Sequence, residues 1–127
     1  MERKTRQHQA IYEVISQAGR PLLAQEIWQS GAKTVPQLSL ATVYRQTKSL
    51  LACGSIRQVT LPGQNPRYEI ARSTQTHGHH HYFQCRYCES VFDVPTCPGE
   101  IDKMAPAGFI VEDHEIILYG RCQACTD

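Results

Sequence analysis

The chain has 127 residues, 41% hydrophobic and 20% charged, with a net charge of +1, which is room for one domain or two small ones. No secretory signal opens it, and apolar runs such as Phe109–Val111 and Ile116–Tyr119 are too short to cross a bilayer; the expectation is a cytoplasmic protein with no membrane partner. The charge is unevenly spread: residues 1–72 carry ten Lys/Arg against four acids, net +6, and residues 73–127 carry three against eight, net −5. A basic half joined to an acidic half argues that only the first meets a polyanion.

In chain order, Ile11, Val14, Ile15 and Ala18 recur on one helical face over 5–18, with Thr5 as candidate cap and Gly19 and Pro21 as stops. A second helix is predicted over 23–30, ended by Gly31. Ser39 caps a third, whose apolar face is Leu40, Val43, Thr47, Leu50 and Leu51, closed by Gly54. Two β-type runs, Ser55–Leu61 and Arg67–Ala71, flank Pro-Gly-Gln-Asn-Pro and read as a hairpin. Three helices and a hairpin are the order of a winged helix-turn-helix. Its reader would be the third helix, with Thr42, Tyr44, Arg45 and Lys48 on the exposed face and Arg3, Lys4 and Arg6 in a basic N-terminal arm.

A polar hinge is expected over 73–78. Beyond it, His81–Cys85 and Val91–Val94 read as short strands, Glu100–Ala105 as a short helix, and Phe109–Tyr119 as a longer strand with an irregularity at Glu112-Asp113. The fold class is therefore α+β: a winged helix-turn-helix over 1–72, then a small α/β dimerisation domain over 79–127. About 50 residues rarely sustain a core alone, so the second domain needs a metal, a partner copy or both.

Six cysteines support the metal. Cys85-Arg-Tyr-Cys88 and Cys122-Gln-Ala-Cys125 are two C-x-x-C pairs that can supply four thiolates to one structural zinc, with Arg86 and Arg121 near enough in sequence to offset excess charge. Disulfides would need an oxidising compartment, and a redox C-x-x-C normally stands alone. Cys53 and Cys97 read as ordinary small residues. Five of the six histidines follow residue 76, at His77, His79, His80, His81 and His114. On a strand His79 and His81 share one face and His80 takes the other, so the cluster can serve two sites; a solvated polar tract would look the same.

Three motifs in order, Leu40-Ala-Thr-Val-Tyr-Arg45, His79-His-His-Tyr-Phe-Gln-Cys85-Arg-Tyr-Cys88 and Ile117-Leu-Tyr-Gly-Arg-Cys122-Gln-Ala-Cys125, resemble the ferric uptake regulator family, most closely its zinc uptake branch. The resemblance implies a homodimeric, metal-loaded repressor on an AT-rich palindromic operator. It also implies two further metal sites. His79, His81, Glu100 and His114 form a His₃Glu set. Glu69, His80 and Asp93 form part of a second set bridging hinge and wing. That second set departs from the family: Pro21 and Tyr82 stand where histidines are expected, with His77 or Cys97 as substitutes, and His8 replaces a usual Arg of the first helix.

Imidazoles with one carboxylate suit zinc, whereas manganese prefers more oxygen ligands; Zn²⁺ is the expected regulatory ion, with Fe²⁺ or Mn²⁺ as alternatives. Iron, manganese or peroxide sensing within the family is the nearest rival reading. A zinc enzyme or storage protein is the rival from another class. A nucleic-acid deaminase would show His-x-Glu and Pro-Cys-x-x-Cys, and neither is present; a storage protein would have no use for the basic winged helix.

Overall fold

The structure, a computed structural model, describes residues 2–71 and 81–126, with side chains from Arg6 onward. It divides into two compact units, residues 1–73 and 74–127. The first is a winged helix and the second a small α/β unit.

In the first unit, α1 (Glu2–Ala18) begins three residues before Thr5, the expected cap, and runs straight through it. Gly19 follows with φ of 66°, a left-handed turn that ends the helix without a Cβ penalty. A two-residue strand β1 (Leu22–Leu23) precedes α2 (Ala24–Thr34), in which Glu26 reaches back to accept from the Leu23 backbone N–H at 2.9 Å. The helix continues three residues past Gly31, the expected stop. Gly31 is buried inside it, and a Cβ there would lie 2.7 Å from Leu38 Cδ2. The glycine serves close packing rather than termination.

Ser39 caps α3 (Leu40–Ala52) as expected, its hydroxyl accepting from Thr42 N–H at 3.1 Å. Strands β2 (Ile56–Val59) and β3 (Arg67–Ile70) form the antiparallel hairpin, and β1 adds to the far edge of β3, giving the order β1-β3-β2. Ile11, Ile15, Ile27, Val43 and Leu50 form the core between helices and sheet. Ile11, Ile15, Val43 and Leu50 stand at predicted apolar positions, so helical periodicity translates directly into packing.

In the second unit β4 (His81–Cys85) is central: β5 (Val91–Val94) pairs with it antiparallel and β6 (Ile117–Gly120) pairs parallel on the other side. The expected helix at 100–105 is one 3-10 turn, Ile101–Met104. The expected strand Phe109–Tyr119 survives only as β6; residues 109–116 are irregular, with Phe109 and Ile110 70% and 87% exposed. Of that stretch Ile116 still bonds β4, its carbonyl accepting from Tyr82 N–H at 3.0 Å, but Phe109–Val111 pair with no strand among the described residues, and propensity alone does not make a strand. The buried apolar residues described in this unit are Cys85, Val91 and Cys122. Two of these three are sulfur side chains, so apolar packing alone is thin.

No helix among the described residues is long and apolar enough to cross a membrane.

Candidate metal centres and DNA-reading helix

The first centre is built where β4 ends. Cys85 closes the strand, and a turn passing through Glu89 at φ of 66° returns the chain to β5. That turn aims the backbone N–H groups of Tyr87 and Cys88 at Cys85 Sγ, each at 3.4 Å. Parallel pairing of β6 with β4 brings Cys122 alongside, and its N–H adds a third donor at 3.4 Å. Cys125 follows on the 3-10 turn Gln123–Cys125. The four sulfurs lie within 4.8 Å of one another, with Cys88 and Cys122 3.7 Å apart. The parallel pairing of β4 and β6 thus brings the two C-x-x-C pairs together.

The electrostatics of this cluster call for a cation. Burial pushes the Cys85 thiol up, but the N–H groups of Cys88, Cys122 and Tyr87 outweigh it and bring it to about 6. Hydrogen bonds from Ser90 also lower Cys88. Cys125 is driven the other way, to about 12, by the sulfurs of Cys122 and Cys85 beside it. Four thiolates this close repel one another, and a divalent cation relieves that repulsion. Four sulfurs with N–H donors to the anionic ligand fit tetrahedral zinc. Arg86 and Arg121 stack on Tyr119 and Tyr87, at 5.1 and 4.3 Å from the ring centroids.

A second group gathers His81, Cys97 and His114 within 4.8 Å. His81 is buried at the head of β4, and Ile116 N–H donates to its Nδ1 at 3.1 Å. A neutral imidazole accepting there carries its proton on Nε2, so filling the site costs that proton or that hydrogen bond. His114 stacks on His81 at 5.0 Å between centroids, and its Nε2 lies 3.1 Å from Cys97 Sγ. Of the expected His₃Glu set, His81 and His114 are thus brought together. Glu100 is not among them: its side chain is 77% exposed and lies 3.8 Å from Lys103 Nζ. Cys97 stands in this group, whereas the sequence reading takes it as an ordinary small residue or as a substitute ligand of the bridging set. Its only signal is proximity, three residues before Glu100 in Pro95-Thr-Cys-Pro98.

The bridging set is placed residue by residue. Glu69 is buried in β3 and accepts from Arg57 Nε at 2.8 Å. Asp93 is half-buried on β5, in register with Tyr82. His77, His79 and His80 lie outside the described residues, as do the hinge over 73–78 and the side chains of Arg3 and Lys4.

On α3, Tyr44 is 53% exposed, and Arg45 and Lys48 are exposed beside it; Arg6 is exposed on α1. Thr42, expected on the outer face, is buried instead. Its position three residues after the cap turns it into the cap network: Ser39 Oγ donates to Thr42 Oγ1 at 3.0 Å, and Arg45 Nη2 donates to the same oxygen at 2.9 Å. Thr42 therefore aims Arg45 from beneath. His8 Nδ1 lies 2.7 Å from Gln46 Oε1, tying α1 to α3.

The sequence profile of the ferric uptake regulator family matches residues 2–119. The peroxide-responsive repressor PerR of Staphylococcus aureus (strain USA300) is 29% identical over 129 residues, covering 98% of this chain and 83% of that protein. Among solved structures, a zinc-bound manganese uptake regulator aligns with a TM-score of 0.74 at 22% identity, over 91% of this chain and 87% of its own, a likeness of fold. FurB of M. tuberculosis, a zinc uptake regulator, aligns with a TM-score of 0.53 at 26% identity, over 98% and 95% of the two chains.

Proposed function

The chain belongs to the ferric uptake regulator family of metal-responsive transcription regulators, and from that premise we propose that it is a zinc-responsive repressor of metal-uptake genes, binding a palindromic operator as a homodimer. The carrying observation is that, among the described residues, both metal-ligand clusters consist of sulfur and imidazole, with no carboxylate in either. Those donors favour zinc over manganese within the C-terminal unit, whereas the set of Glu69, His80 and Asp93 is richer in oxygen, which is why the titration below compares the ions. The likeness to FurB supports the same ion.

On DNA, exposed Arg45 and Lys48 on α3 and the basic residues Arg3, Lys4 and Arg6, which lie in helix α1 and not in an arm, neutralise phosphates, and the outward ring of Tyr44 packs against a thymine methyl. Two reader helices are needed for two half-sites, which is what a dimer supplies. The apolar, unpaired stretch at Phe109 and Ile110 supports a second copy as its cover. Zinc, when bound, stabilises the folded second unit and, through Glu69, His80 and Asp93, biases the conformer in which both reader helices fit successive major grooves. Operator affinity and metal occupancy are then linked.

The test is a titration of zinc, manganese and anaerobic ferrous iron into the metal-depleted regulatory site, with operator binding followed at physiological salt. Zinc alone should produce tight binding. Binding indifferent to zinc but driven by manganese or iron would overturn the assignment. The identity with a peroxide-responsive repressor favours a second reading, iron-dependent peroxide sensing. That reading requires the iron-loaded protein to lose its operator on peroxide treatment.

A further inference from the structure

We infer that Cys97, and not Glu100, completes the second metal site of the C-terminal unit, making it a sulfur-containing His81–Cys97–His114 centre. The ligand assignment rests on side-chain placement alone; its bearing on regulation rests on the function proposed above.

The three donors come from separate stretches. His81 heads β4, Cys97 follows β5, and His114 precedes β6. Nothing in local sequence spacing forces them together, yet their ligand atoms fall within 4.8 Å. At zinc bond lengths of about 2.0–2.3 Å, a tetrahedral nitrogen–sulfur edge is ~3.6 Å. The observed Cys97 Sγ to His114 Nε2 distance of 3.1 Å opens to that value with a shift of about half an ångström. The ring of His81 is buried and stacks on His114, so two of the three donors are already held side by side. Glu100 is directed to solvent beside Lys103. Recruiting it would mean withdrawing an exposed carboxylate from water, whereas Cys97 is already in place.

Two consequences follow. A thiolate in the set shifts preference toward zinc and away from manganese, which takes oxygen ligands. The site also pins both ends of the long β5–β6 connection to the head of β4, ordering a stretch that has only one 3-10 turn of its own.

Cobalt(II) titration of the full chain, with the four-cysteine centre already filled by zinc, reads the ligands directly. The native protein should bind cobalt in a site with intense tetrahedral d–d bands and a near-ultraviolet thiolate-to-cobalt charge-transfer band, which the thiolate-free set of Glu69, His80 and Asp93 cannot give, while its zinc content stays constant. Cys97→Ser should lose the charge-transfer band and weaken cobalt binding by at least the roughly 10- to 100-fold typical of losing a supporting residue. His114→Ala should lose the site, and Glu100→Gln should keep both band and affinity. The proposal is overturned if the native protein shows no charge-transfer band, if the band survives in Cys97→Ser, or if Glu100→Gln is the variant that loses cobalt. The spectra are read without DNA. A sulfur-bound cobalt in a protein that ignores the operator would therefore leave this inference standing while removing the proposed function.

Discussion

Single residues decide the chemistry through what surrounds their polar atoms. Cys85 is buried and would resist ionisation, but three backbone N–H groups at 3.4 Å outweigh that burial and bring its thiol to about 6. Serine in its place keeps the shape but loses the soft thiolate and the reason for those donors to converge. Cys85→Ser should therefore lose the structural zinc and unfold the C-terminal unit, because structural zinc binding is comparable to a whole domain's stability. Zinc per chain and thermal unfolding measure it; a variant that keeps full zinc and the native transition would sink the four-thiolate assignment. Glu69 shows the opposite situation. Its carboxylate already has a cationic partner in Arg57 at 2.8 Å, so joining a metal set means sharing or leaving that partner. Thr42 shows how pattern misleads: its helical position says surface, but the Ser39 cap and Arg45 draw its hydroxyl inward.

At the scale of elements, α3 was legible because cap, apolar face and stop all agree in the sequence. Its exposed Arg45 is the residue whose loss should be felt on DNA. Arg45→Ala should weaken operator binding by about 1–3 kcal/mol and relax specificity if it reads a base, or flatten the salt dependence by roughly one unit if it holds a phosphate. Band shifts across a salt series distinguish these outcomes, and unchanged affinity and slope would remove α3 as the reader. The expected stop of α2 at Gly31 fails for a packing reason that no local pattern carries: Leu38, seven residues on, occupies the space a Cβ would need. Gly31→Ala gains up to about 1 kcal/mol of helix propensity but sets a methyl against buried Leu38, and overpacking costs about 1–3 kcal/mol. Net destabilisation of about 1 kcal/mol is expected from chemical denaturation; a more stable variant would mean that Leu38 has room to move. Strand β1 and the shortening of 109–119 were illegible for a related reason. Two residues show no alternation, and pairing partners are set by tertiary contacts rather than by local composition. The C-x-x-C pairs were legible because ligand spacing is local. Cys97 was not, since its partners are 16 and 17 residues away.

Over the whole molecule, the question is which metal set speaks to DNA. The four-cysteine centre and the His81–Cys97–His114 group both lie wholly within the acidic C-terminal unit, so under the proposed function any effect they have on the reader helix passes through that unit. Glu69 belongs to the basic N-terminal unit, on the last strand of the wing, and Asp93 belongs to the C-terminal one. Strand alternation in the sequence assigns His80 to the face opposite His79 and His81. Under the proposed function, the set of Glu69, His80 and Asp93 is the one that draws its ligands from both halves of the sequence, and only a ligand that distinguishes two arrangements can shift the balance between them. His80→Ala should therefore abolish metal-dependent operator binding while leaving a folded dimer with its structural zinc. His114→Ala should lose one metal and some thermal stability but keep part of the response. Zinc titrations of both variants, followed by operator affinity, decide the matter: a normal response in His80→Ala together with silence in His114→Ala would make the sulfur-containing centre the sensor.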